Sequence, residues 1–129
     1  ETFVPWKHLH KLHKAINEQI AKLPEFHKKK GIFMEHLSHI YPSGACIYFT
    51  GITPILNDNE LEQWQAIKNL VTNTIMTHNG TISHHHGVGI DHQKWSLKST
   101  DPLVLNILRA VKKELDPKGI LNHGKLFHA

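Results

Sequence analysis

Hydrophobic positions along the chain recur with two different periods, and the change of period marks the elements. Trp6, Leu9, Leu12, Ile16, Ile20 and Leu23 repeat at helical spacing and stop at Pro24, which predicts an amphipathic helix with one buried face. Pro5 biases Val4 away from helical backbone, so "ETFVPW" is expected to be extended up to that helix. In "GIFMEHLSHIY" the apolar Ile32, Met34, Leu37 and Ile40 predict a strand, "PSG" at 42–44 a turn, and "ACIYFTGI" a second strand, together an antiparallel hairpin. Helical spacing returns at Leu61, Trp64, Ile67, Leu70, Val71 and Ile75, with Asp58 or Asn59 as N-cap and Asn79-Gly80 as the stop. "TIS" predicts a short strand that delivers His84, His85 and His86. "DPLVLNILRAVKKELDPKG" predicts a last helix, capped by Asp101, with Pro102 in its first turn and its end at Asp116-Pro117; Gly119 lies beyond, and "ILNHGKLF" is expected to be irregular. This order predicts an α+β fold: a small, mainly antiparallel sheet with helices packed on one face.

The 129 residues, 40% hydrophobic, suit one core, and no repeat or linker interrupts them, so a single domain over 1–129 is expected. The first residue is Glu1 rather than Met, and no charged-then-apolar leader or long apolar run is visible, which reads as a soluble piece excised from a longer protein. Cys46, the one cysteine, sits in the apolar run "ACIYF" and is expected to be a small buried residue; without a CxxC pair a zinc ribbon is excluded. The net charge of +4 comes from 14 scattered lysines and Arg109 set against 11 acids. Scattered charge predicts a solvated surface and no nucleic-acid partner. The densest cluster, Lys28 to Lys30, adjoins a helix end, where cations face the negative end of the dipole.

Among the 13 histidines, His8, His10 and His13 are expected to face solvent from the first helix. On an extended backbone the run at 84–86 would alternate, His84 and His86 to one side and His85 to the other. Three readings follow: a metal site completed by His92, solvated polar groups at a strand end, or groups that touch a ligand. Alternation and the lack of an HExxH or a separate carboxylate argue against the metal, and none is expected. The glycines of "HHHGVG" favour the ligand, because glycine permits positive φ and close approach of a planar group. Histidine titrates nearest neutrality, so a cluster of them can exchange protons with a cofactor or substrate.

"GTISHHHGVG", with "DHQKW" behind it, "SGACIYF" before it and "LDPKGILNHGKLF" at the end, resembles the C-terminal part of FAD-linked oxidases of the vanillyl-alcohol oxidase type. Within that group it is most similar to the alkyldihydroxyacetone-phosphate synthase branch, over about residues 1–127. Relatives acting on 2-hydroxy acids usually carry an acid and one histidine before the glycine turn, so His85 in the acid's place favours the synthase branch; their metal-binding strand pattern is missing from "ACIYFTG". The resemblance implies a ferredoxin-like cap domain folded over the flavin edge, with FAD bound mostly by an N-terminal domain outside this chain. It implies Tyr48, His84, His85 and His86 as catalytic groups, His85, His86, Gly87, Asn122 and Lys125 as cofactor contacts, and His92 and Lys94 as substrate contacts. His92 and Lys94 enter because Ile90 replaces a residue that is often basic in that branch. His123 replaces the proline of a terminal NPGK pattern. The partners implied are a small-molecule or lipid-precursor substrate and the chain's own FAD-binding domain, in a cytoplasmic enzyme with peripheral membrane association and an oligomeric state left open. Synthase and oxidase chemistry both remain open for the complete protein. The other function class is a stand-alone binding module that uses surface histidines for a divalent metal or a protein partner. Of the run, His84 is expected to tolerate change best.

Overall fold

Val4, Leu12, Ile16, Ile20, Ile47 and Ile75 interlock in the core of the first of two compact units, Glu1–His85; the second is His86–Ala129. The computed structural model describes residues 1–27, 30–56 and 58–126. The expected lysine cluster therefore lies largely outside the described residues, at Lys28 and Lys29.

In the first unit, Thr2–Pro5 form β1, Trp6–Ile20 α1, Ile32–Tyr41 β2, Gly44–Ile52 β3 and Glu60–Thr77 α2. The sheet order is β1-β3-β2, with both pairings antiparallel. The amphipathic spacing read from the sequence places Leu12, Ile16 and Ile20 on the buried face of α1, where they meet Ile47 of β3 and Ile75 of α2. Leu9, Phe33, Phe49, Ile67, Leu70 and Val71 pack around that cluster. The α+β class and the hairpin thus hold as expected. His13 is exposed, as expected, and also pairs with Glu35 of β2, whose carboxylate accepts from Asn17 Nδ2 at 2.7 Å. Asn59 is the N-cap of α2, accepting from Glu62 N at 3.2 Å. Asn79 takes the positive φ of 60° that ends the helix.

"TIS" does not form the expected strand. Thr81 N donates to Phe3 O at 2.9 Å, but two neighbouring ladder positions are filled by hydroxyls. Thr2 Oγ1 donates to Thr81 O at 2.7 Å, and Phe3 N donates to Thr81 Oγ1 at 2.9 Å. Side-chain bonds replace backbone pairing, so the segment follows the β1 edge without becoming a fourth strand. Gly80 permits this approach, since a Cβ there would stand 2.6 Å from Thr2 Oγ1 and 2.7 Å from Ile75 Cγ2.

In the second unit, α3 covers Gln93–Ser99 and α4 Pro102–Leu115. Asp101 caps α4 as expected, accepting from Leu103 N at 2.7 Å. The sequence reading missed α3, whose seven residues are too few to show a period; its burial rests on Gln93 and Trp95. Among the described residues no helix is long and apolar enough to cross a membrane.

Candidate active site

A bulge in β2 decides which side chains share the sheet face away from α1. His36 pairs with Tyr48 and Leu37 with Ile47, but His39, not Ser38, pairs with Cys46. The extra residue inverts the alternation. His36, His39 and Tyr41 thereby share one face with Cys46 and Tyr48, whereas strict alternation from His36 would have turned His39 and Tyr41 toward the helices.

The residue run 83–85 lies against this face. Tyr41 Oη is 3.0 Å from His84 Nε2, and His84 Nδ1 is 3.0 Å from His85 Nδ1. His39 stands beside both, with ring centroids 5.2 Å from His84 and 4.9 Å from His85. Phe3 of β1 stacks on His84 at 6.3 Å. Strict alternation of the run therefore fails, because the chain bends at His84 and His85 instead of staying extended. A neutral imidazole has one donor and one acceptor nitrogen. If Tyr41 donates to His84 Nε2, His84 Nδ1 must donate to His85; protonation at His84 Nε2 reverses both bonds.

Beneath the pair lies Cys46, fully buried as expected. Its thiol donates to Glu1 Oε2 at 3.6 Å and sits 3.8 Å from His85 Nδ1. Burial pushes its pKa up from the ordinary thiol value, Ser38 opposes this and the Glu1 charge adds to it. The thiol is held protonated at neutral pH, a donor rather than a nucleophile. Tyr48 lies two residues farther along β3, its ring 5.3 Å from that of His36.

His39, Cys46, His84 and His85 offer ligand atoms that all lie within 4.8 Å of one another, and such a donor set suits zinc. As it stands, the close pair of nitrogens is at hydrogen-bond distance. Zinc bonds of about 2.0 Å in tetrahedral geometry hold nitrogens roughly 3.3 Å apart, and the two Nδ1 atoms are closer than that.

The remaining expected site residues belong to the second unit. Gly87 and Gly89 have φ of 76° and 58°, as the glycine pattern suggested, and among the described residues, chain neighbours aside, no atom lies within 4 Å of where a Cβ would stand on either. His92 occupies the N-cap position of α3, and its Nδ1 lies 3.4 Å from Gly87 O. The tail is tied to this turn: Leu126 N donates to Gly89 O at 3.4 Å, and Gln93 Nε2 to Gly124 O at 3.3 Å. Asn122 takes positive φ, 49°, and accepts from Lys125 N at 3.0 Å. His123, standing where a proline was expected, approaches Gly119 O at 3.3 Å. Lys94 Nζ lies 4.1 Å above the Trp95 ring. His86 is exposed. The first unit thus joins Tyr48, His84 and His85 on one face, and the second groups Gly87, His92, Asn122 and Lys125. Glu1, His39 and Tyr41 were not anticipated; the legible signal was the pair of i, i+2 spacings, His39 with Tyr41 and Cys46 with Tyr48.

The family model for the C-terminal domain of FAD linked oxidases matches residues 1–126. An alkyldihydroxyacetonephosphate synthase of Dictyostelium discoideum is 33% identical over 129 residues, covering 98% of this chain and 21% of that protein. One of Trypanosoma brucei brucei is 32% identical over 113 residues, covering 88% and 18%. A D-2-hydroxyglutarate dehydrogenase of Stutzerimonas stutzeri (strain A1501) is 30% identical over 127 residues, covering 88% and 26%. The chain spans about a fifth of the length of the synthases it matches. These matches give no support to a free-standing binding module.

Proposed function

Because this chain belongs to the C-terminal domain family of FAD-linked oxidases, we propose that it is the substrate-side cap of an FAD-dependent enzyme acting on acyl-dihydroxyacetone phosphate. In the exchange, the C–O bond to the leaving fatty acid breaks, a C–O bond to a long-chain alcohol forms, and the alcohol's proton leaves with the acid, without net redox. Similarity to two synthases over most of the chain supports this substrate. The observation that carries the chemistry is the imidazole pair His84 and His85, joined at 3.0 Å and continued by Tyr41. Such a pair can take a proton at one ring nitrogen and release it at another, and Tyr48 adds a phenol on the same face.

The open glycine turn of the second unit suits the flavin the family uses. Among the described residues nothing but chain neighbours stands near a Cβ position on Gly87 or Gly89; His86, Asn122 and Lys125 of the same unit are groups we assign to the flavin, and His85 of the first unit is assigned to it from the family resemblance alone. Bound there, FAD would supply a redox-active ring to the reaction. His92 and Lys94 are assigned to the substrate phosphate. Leu103, Val104, Ile107 and Leu115 leave an exposed apolar strip on α4, which suits docking of the enzyme's own FAD-binding domain. A lipid-precursor substrate fits a cytoplasmic enzyme that visits a membrane surface.

The test uses the full-length protein with acyl-dihydroxyacetone phosphate and labelled hexadecanol, without an electron acceptor. Fatty-acid release matched by ether-product formation is expected. Turnover only of a 2-hydroxy acid, and only with an electron acceptor, would assign the protein to oxidation instead.

A further inference from the structure

Glu1 has a side chain with no exposed surface, which is costly for a carboxylate unless hydrogen bonds replace its water. Ser83, the histidine run and the strand beneath all supply donors to it. Oε1 accepts from Ser83 Oγ at 2.7 Å and from His85 N at 3.2 Å. His84 N donates to both carboxylate oxygens at 2.9 Å. The Cys46 thiol reaches Oε2, and His85 Nδ1 stands 3.7 Å from the same oxygen. Two successive backbone amides that converge on one anion form a concave nest, a geometry an extended strand cannot adopt.

We propose that Glu1 is the positioning residue of the histidine pair: its buried carboxylate draws the amides of His84 and His85 onto one anion, bends the run, and thereby turns two adjacent imidazoles to the same side. This accounts for the departure from alternation. In an extended run His84 and His85 would face opposite ways and could not share a hydrogen bond. Charge-assisted bonds are about twice as strong as neutral ones, so the anion holds this backbone more firmly than a neutral acceptor could. The catalytic consequence rests on the acid–base reading of the histidines given above.

The experiment compares full-length parent, Glu1→Ala and Glu1→Gln proteins by hydrogen exchange of the peptide containing residues 83–86, by melting temperature, and by turnover of acyl-dihydroxyacetone phosphate with hexadecanol per folded molecule. Glu1→Ala is expected to speed exchange in that peptide while distant peptides keep their rates. It is expected to lower kcat by about 10–100-fold, the scale of a misplaced catalytic group, with KM changed little. Glu1→Gln keeps an acceptor at the Oε1 position and should restore kcat to within about threefold of the parent. If Glu1→Ala does not fold, Glu1→Gln carries the test, with faster exchange confined to the same peptide as the expected sign of a weakened nest. Parent-like exchange at 83–86 in the folded variants would overturn the proposal, as would faster exchange in Glu1→Ala with kcat per folded molecule unchanged. A parent protein that does not turn over these substrates would sink the functional reading alone, since the exchange arm reads the role of Glu1 without catalysis.

Discussion

The phenol oxygen of Tyr41 stands 3.0 Å from Nε2 of His84, and the other nitrogen of that ring is bonded to His85. His84 is therefore the bridging member of the cluster, and substitution there tests the expectation that it tolerates change best of the three histidines in the run. Because its two nitrogens must take opposite roles while it is neutral, the two bonds reverse together. Tyr41→Phe and His84→Gln are each expected to lower turnover by about 10²-fold, the low end for a placed proton-transfer group. The double variant should fall short of the additive loss by roughly 1 kcal/mol, since the two residues share one network. Turnover measured through the double-mutant cycle decides it; strict additivity would mean that Tyr41 acts apart from His84.

Tyr48 and His86 carry a separate expectation. As proton-transfer groups, Tyr48→Phe and His86→Ala should each cut the chemical step by about 10²–10⁴-fold and leave folding nearly intact. A Tyr48 that merely packs against His36 would instead cost roughly 1–3 kcal/mol of stability with turnover per folded molecule near normal. Melting temperature and turnover on the same preparations separate the two.

Much of the fold was legible because its periods are long. α1, α2 and α4 each carry enough turns for the apolar spacing to show, and their stops are chemical: Asn59 and Asp101 as caps, Asn79 at positive φ. What escaped depended on contacts between distant residues. Ser38 gives no local sign that it is the extra residue of a bulge, yet that bulge brings His39 and Tyr41 to the site. Glu1 meets the histidine run across more than 80 positions of sequence, and no periodicity links them. "TIS" carried a strand's composition, but the hydroxyls of Thr2 and Thr81 took over the bonds that would have made it one.

Gly80 is held by space rather than by φ. A methyl group there would press on Thr2 Oγ1 and Ile75 Cγ2, so Gly80→Ala should destabilise the protein by about 1–3 kcal/mol through overpacking. The shift would also move Thr81 off β1 and with it the segment leading to His84. Denaturant unfolding checks the stability, and a midpoint equal to the parent's would show that the β1 edge can yield at no cost.

The His39, Cys46, His84 and His85 cluster makes a defined expectation about metal. With the two Nδ1 atoms hydrogen-bonded and the thiol held protonated by burial, stoichiometric zinc should not survive dialysis against a mild chelator, because binding would require the thiol to lose its proton. Elemental analysis returning one zinc per chain would reassign the cluster as a metal centre.

Asp116 carries an expectation about acid in the second unit. Its carboxylate is bonded to Lys112 and accepts from Ile120 N at 3.0 Å and Leu121 N at 2.9 Å. The Lys112 bond first, and the two amides with it, hold its pKa below the ordinary value of 3.8 against the opposing effect of burial. A carboxyl with a depressed folded pKa binds protons more readily when unfolded, so its contribution is fully present above the unfolded value and is lost as pH falls through the folded one. Below about pH 4 the loop from Asp116 to Leu121 should therefore loosen first. Asp116→Asn should weaken that loop at neutral pH and flatten its response to acid, because the group that titrates is gone. Hydrogen exchange across residues 116–121, followed from about pH 6 down to pH 3 with intrinsic rates corrected, reads both effects; an identical acid response in parent and variant would show that Asp116 does not govern it.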